Sequence, residues 1–170
     1  KALEEITNIQ RVSQEYKRPD THIISIATSH TQARYVLSEI MRDFSARFPN
    51  VSIRLRLGNP QQITELVLSG ETDIGITPDP TDHVRDLLTL PYRNFERLVI
   101  APRGHELLRT KRITLKKLSR YPLIAYEPQF TGWHAVSDAF RKEGLVPKVF
   151  VSAIDADVIK TCVEQGMGIA

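Results

Sequence analysis

The chain is short of the residues that build cross-linked or metal-held scaffolds. It has a single cysteine, Cys162, so no intrachain disulfide can form, and a reducing compartment suits it. Its five histidines (His22, His30, His83, His105 and His134) are scattered and do not pair at metal-ligand spacing. His105-Glu106-Leu107-Leu108-Arg109 lacks the second histidine of a zinc-protease helix. There is no nucleophile elbow, no phosphate loop and no dinucleotide fingerprint. These absences leave no support for an enzyme, a resident metal or a cofactor. No run approaches the roughly 20 apolar residues that cross a bilayer. The first residues, Lys1-Ala2-Leu3-Glu4-Glu5-Ile6, read as polar helix and not as an export signal. Charge of one sign is also scarce. The 23 Lys and Arg against 20 Asp and Glu give a net charge of +3, a dispersed excess without the one-faced cluster of a nucleic-acid footprint. Repeats and low-complexity tracts are missing too.

What is present is an α/β pattern in 170 residues of which 41% are hydrophobic, enough core for one domain or two small lobes. Residues 2–16 carry a narrow apolar stripe at helical spacing, broken at Pro19. His22–Ala27 is a predicted strand, and Ala33, Leu37, Ile40, Phe44 and Phe48 mark one face of a helix. Val51–Leu57 alternates as a half-buried strand. Asn59-Pro60 opens a helix with Asn as cap and Pro in its first position, and Gly70 ends it. Asp73–Thr77 is a third strand. This β-α-β-α-β order predicts a parallel sheet with right-handed crossovers. After Pro91 the pattern restarts. Leu98–Pro102, Leu123–Tyr126 and Val149–Val151 are predicted strands. Thr114–Arg120, Gly132–Glu143 and an Asp155-capped segment reaching Glu164 are predicted helices, with Cys162 on the buried face of the last.

One run carries most of the functional information. Ile24-Ser25-Ile26-Ala27-Thr28-Ser29-His30-Thr31-Gln32 takes an apolar strand directly into a helix through small polar residues. The first turn of a helix has N–H groups without intrahelical partners and carries partial positive charge. Ser29, Thr31 and Gln32 add side-chain donors at that place, which makes a ready site for a small anion. The same hydroxyls also suit a plain N-cap, and one turn can serve both ends. In open α/β sheets ligands bind beyond the carboxyl ends of strands. Thr77-Pro78 lies at a second such end, and Gln129-Phe130-Thr131-Gly132 opens a helix after a strand in the second half. If the halves face each other, both helix N-termini point into one cleft. Such a cleft suits sulfate, a carboxylate or a small amino-acid derivative. Trp133, next in line, suits core packing or a cleft wall.

These residues resemble a known family. Ile26–Leu37, Phe130-Thr131-Gly132 and Asp155-Ala156-Asp157-Val158-Ile159-Lys160-Thr161 are similar to the effector-binding part of LysR-type transcriptional regulators, above all to the CysB/Cbl branch. Phe95–Glu106 and Tyr121-Pro122-Leu123-Ile124 fit the wider family. The resemblance implies two Rossmann-like lobes of the periplasmic-binding-protein type 2 class, with a hinge and an effector between them. It divides the chain into a linker helix (1–19), lobe I (20–91) and lobe II (92–170). Lobe II is expected to be incomplete, and a winged helix-turn-helix is expected ahead of the linker. It implies a cytoplasmic dimer or tetramer that binds promoter DNA through that N-terminal part and activates genes of sulfur assimilation and cysteine synthesis. Its effectors would be sulfate, thiosulfate, O-acetylserine or N-acetylserine. The family's anion site falls on Ser29, Thr31, Gln32 and Thr131, with Thr77 and Gly132 beside them. Ser29 keeps the hydroxyl of the family's threonine. Pro78 stands where the branch has another threonine, and so removes a hydroxyl and an N–H. A periplasmic-type solute-binding protein for a small anion would share the same lobes, and is the alternative.

Overall fold

The structure is a computed structural model that describes residues 22–78 and 86–170. The expected linker helix therefore lies outside the described residues. The chain divides into two compact units, Lys1–Thr89 and Leu90–Ala170.

The first unit is built on β1 (His22–Thr28), an apolar strand that pairs in parallel with β2 (Val51–Leu57) and β3 (Ile74–Ile76) in the order β2-β1-β3. Parallel neighbours need long crossovers, and helices supply both. The first crossover starts at α1 (His30–Gln32), passes through a π turn (Ala33–Leu37) and continues as α2 (Ser38–Arg47). The second is α3 (Pro60–Leu68). Its start is fixed by a reciprocal cap. Gln62 N–H donates to Asn59 Oδ1 and Asn59 N–H donates to Gln62 Oε1, both at 2.9 Å.

The π turn overturns part of the expected helix face. Val36 and Leu37 are buried, whereas Ile40 and Phe48 are about half exposed. A π turn inserts one residue into the helical count, so positions beyond it rotate by roughly a quarter turn about the axis. Phe44 keeps a half-buried place and stacks on Phe48 with ring centres 4.8 Å apart.

A carboxylate locks the register of β3. Asp73 Oδ2 accepts from the Ser25 N–H at 2.7 Å and from its hydroxyl at 2.6 Å, while Asp73 N–H returns a bond to the Ser25 carbonyl at 2.9 Å. Asp73→Ala is expected to lower unfolding free energy by about 2 kcal/mol, the scale of hydrogen bonds to a charged group at a half-open position. Urea unfolding checks this, and Asp73→Asn should recover part of the loss.

In the second unit, β4 (Leu123–Tyr126) pairs in parallel with β5 (Val149–Ala153). Side chains of a strand alternate between faces, and β4 uses both. Leu123 and Ala125 pack with Trp133 and Val136 of α5 (Thr131–Lys142). Ile124 packs with Ile159 and Val163 of α6 (Ala156–Glu164). Cys162 packs at the margin of this second cluster, as core and not as an open thiol. A 3-10 turn (Glu106–Arg109) and the short α4 (Leu115–Leu118) join the first of these clusters through Leu107 and Leu118.

The strand expected at Leu98–Pro102 is not formed as such. Only Ile100 pairs, exchanging N–H···O bonds of 2.7 and 2.9 Å with Ala170. Leu98 is 79% exposed, and no described segment offers its backbone a ladder. On α6 the inner face is made by Ile159 and Val163, while Val158 is about half exposed.

Candidate functional site

Parallel pairing brings the carboxyl ends of the first unit's strands level. Thr28, the last residue of β1, stands opposite Leu57 on one side and Ile76 on the other. The segments that leave these ends therefore share one edge of the sheet: Ser29 onward, Gly58-Asn59, and Thr77. Gly58 N–H donates to the Thr28 carbonyl at 3.0 Å, tying two of them together.

Ser29 has extended backbone (φ −83°, ψ 159°) and caps α1. Its Oγ accepts from Gln32 N–H at a long 3.3 Å, and its carbonyl accepts from Ala33 N–H at 2.9 Å. The cap is thus real, and it leaves the serine hydroxyl proton available to donate. The backbone N–H groups of His30 and Thr31 have no acceptor among the described residues. Thr28, Ser29 and Gln32 are buried, with exposures of 0, 9 and 5%. Three buried polar residues within five positions make this a polar pocket in the edge of the sheet, and buried polar groups are ordinarily paired. Thr31 is half-buried and His30 exposed. Thr77 is half-buried beside the turn, and Pro78 is exposed.

One residue here was not singled out by its sequence context. The Thr28 hydroxyl, like that of Thr72, is buried and has no hydrogen-bond partner among the described residues. Its only sequence signal is that it ends a strand at a carboxyl edge. An unpaired buried hydroxyl costs on the order of 1–3 kcal/mol, so its retention at this edge suits a group that donates to an acceptor from elsewhere.

Thr131 and Gly132 lie in the second unit, at the start of α5. Phe130 is the cap residue and offers no side-chain bond. A Cβ on Gly132 would lie 2.7 Å from the Tyr126 ring, so glycine is what lets the helix begin against that ring. Gly132 also lines a cavity of about 420 Å³ within this unit, walled by Tyr126, Trp133, Val136 and Ile159, with Lys160 and Arg97 at its polar margin. Thr131 is not part of that lining. Trp133 takes the core-packing role expected of it on the β4 cluster, and it also lines this cavity within the second unit. Asp155 is the cap of α6, accepting from Asp157 N–H at 2.7 Å and Val158 N–H at 3.3 Å.

Among the described residues no cluster of His, Cys, Asp or Glu is placed to hold a metal ion. No described helix is long and apolar enough to cross a membrane. What the first unit offers is electrostatic: the N–H groups of His30 and Thr31 and the buried Thr28 hydroxyl, without partners among the described residues, at a helix start. A helix start with open N–H groups is the kind of place at which small anions are held.

Residues 17–170 match the family described as LysR substrate binding domain. The chain is similar to the HTH-type transcriptional regulator SsuR of Burkholderia cenocepacia, with 43% identity over 162 residues, covering 95% of this chain and 53% of that protein. It is also similar to the HTH-type transcriptional regulator CysB of the same species, with 38% identity over 167 residues and coverage of 98% and 53%. Among solved structures, the cofactor-binding domain of the Cbl transcriptional regulator aligns with a TM-score of 0.82 and 38% identity, covering 88% of this chain and 65% of that one. The chain spans about half the length of the curated relatives it matches.

Proposed function

The chain belongs to the LysR substrate-binding-domain family, and on that premise we propose that it is the effector-sensing part of a CysB-like transcriptional regulator of sulfur assimilation and cysteine synthesis. The observation that carries the ligand reading is the part-buried Thr28–Gln32 turn, with the open N–H groups of His30 and Thr31 and the orphan Thr28 hydroxyl. Ser29, Thr31, Gln32 and Thr77 are the proposed ligand contacts of the first unit, and Thr131 and Gly132 those of the second. The two units correspond in this reading to the two hinged lobes of a type 2 periplasmic-binding-protein-like fold. The ligand is a small anion or an acetylserine-type metabolite: sulfate, thiosulfate, O-acetylserine or N-acetylserine. Promoter DNA engaged through a separate N-terminal part, a homo-oligomeric assembly and a cytoplasmic setting complete the proposal. So does the absence of catalysis, in line with relatives that are regulators.

Magnitudes agree with sensing. A charge-assisted hydrogen bond contributes about 1.5–3 kcal/mol net. A helix terminus adds about 0.3–1 kcal/mol. A few such contacts, less ordering and desolvation, give affinities between about 1 mM and 1 μM. Signalling then requires that the ligand favour one arrangement of the protein over another.

Calorimetry with the four candidate ligands tests this. Ser29→Ala is expected to weaken the best ligand about tenfold, Ser29→Thr to leave it nearly unchanged, and Ser29→Ala/Thr131→Ala to weaken it further. Unaltered affinity in the double variant overturns the assignment.

A further inference from the structure

Positive charge that looks dispersed along the whole chain is concentrated in one segment of the second unit. Residues 102–121 hold seven of the 23 Lys and Arg side chains and one of the 20 acidic ones, so the rest of the chain is net acidic. The segment is one folded piece. It consists of the 3-10 turn, α4 and the loops around them, anchored by buried Leu107. Lys117 Nζ donates to Thr110 Oγ1 at 2.6 Å, and the His105 ring meets the Tyr121 ring edge-on at 4.9 Å. Arg103, Arg109, Lys111, Arg112, Lys116 and Arg120 are all exposed, and none is in an ion pair among the described residues. The lone acid, Glu106, accepts from the Tyr121 hydroxyl at 2.5 Å, which holds its carboxyl below the usual range.

We propose that residues 102–121 form a docking surface for the phosphate backbone of duplex DNA, separate from any sequence-reading domain. Unpaired cations at this density release counterions when they meet closely spaced phosphates. Single strands are recognised by exposed aromatic rings, and the only aromatic side chains here, His105 and Tyr121, are half-buried and face each other. A membrane surface favours a long amphipathic helix, whereas the helical pieces here have four residues each. A protein partner favours an apolar or aromatic centre, and the exposed apolar residues of this patch are Leu108 and Ile113 alone. The proposal does not rest on the effector reading.

The test is fluorescence anisotropy of the full chain with a labelled 20-bp duplex of arbitrary sequence. For about four phosphate contacts, affinity should fall about 100-fold between 50 and 200 mM NaCl. Arg109→Gln/Lys111→Gln/Arg112→Gln/Lys116→Gln should weaken binding at 50 mM at least tenfold and flatten the salt slope. Arg47→Gln/Arg54→Gln/Arg56→Gln/Lys142→Gln removes equal charge from exposed positions elsewhere and should stay within twofold. All eight positions are solvent-exposed, and circular dichroism of both variants should match the parent. Equal losses in the two variants overturn the proposal. So does competition by polyglutamate as effective per charge as duplex, or tighter binding to phosphatidylserine vesicles than to duplex.

Discussion

Replacing Gly168 with alanine is expected to destabilise the second unit by about 3 kcal/mol, the largest single loss of stability among the substitutions considered. A Cβ at this position would lie 2.4 Å from the Pro122 carbonyl oxygen, 3.0 Å from its carbon and 3.3 Å from Ile124 Cδ1. The obstacle is backbone, so no rotamer change relieves it. Moving the chain apart breaks the parallel link that joins Ile169 to β4. In that link Ile169 N–H donates to Pro122 O at 3.0 Å and Ile124 N–H donates to Ile169 O at 2.7 Å. Overpacking of this kind costs roughly 1–3 kcal/mol, and each displaced backbone bond adds about 1. Ile169 is fully buried against Leu123 and Leu107, so its displacement also opens the core. For a unit of this size the loss corresponds to a fall of about 12–24 °C in Tm. Trp133, the sole tryptophan, packs on the same cluster and reports the transition by its fluorescence. Gly166→Ala is the comparison. Gly166 has φ +76° but open space around its Cα, so only backbone strain of about 1 kcal/mol is expected there. Equal midpoints for the parent and Gly168→Ala would show that the close approach is not a constraint.

The contrast between Gly168 and Asn59 shows which features are legible in the sequence. Asn59, Pro60, Gln62 and Gly70 spell a helix start and stop within a dozen residues, because every partner in those caps is local. Asp155 and Ser29 are legible for the same reason, as are the alternating residues of β2 and the apolar β1 and β4. Gly168 is constrained by Pro122, more than 40 residues away, and nothing in Gly166-Met167-Gly168 distinguishes the crowded glycine from the one in open space. The π turn at Ala33–Leu37 lies beyond reach for a similar reason, since its extra residue is tolerated by tertiary packing and not coded by a local breaker. Leu98–Pro102 has strand composition, but a strand needs a neighbour, and only Ile100 has one. In the candidate site the donors Ser29, Thr31 and Gln32 could be read from their place after a strand. The orphan state of Thr28 could not, because it depends on what the surrounding residues fail to offer.

That orphan hydroxyl leads to a prediction with two opposed signs. Thr28→Val keeps the shape and the β-branched preference for a strand while deleting the hydroxyl. Without ligand, the variant is expected to be more stable by about 1 kcal/mol, because an unpaired buried polar group is replaced by a methyl. If the hydroxyl donates to the bound anion, effector affinity is expected to fall about 10–100-fold, the equivalent of one charge-assisted bond at about 1.5–3 kcal/mol. Thr28→Ser should retain binding, with a small loss of stability for the missing methyl. The opposition of signs is what makes the experiment decisive. A packing defect lowers stability and affinity together, and an inert hydroxyl raises stability with affinity unchanged. Only a group kept unpaired for a guest raises one while lowering the other, which is the trade-off expected where function is held against stability. Thermal denaturation without ligand, paired with calorimetric titration of the tightest of the four candidate ligands, separates these cases. A Thr28→Val protein that binds as well as the parent would remove Thr28 from the site and leave Ser29, Thr31 and Gln32 to account for the anion alone.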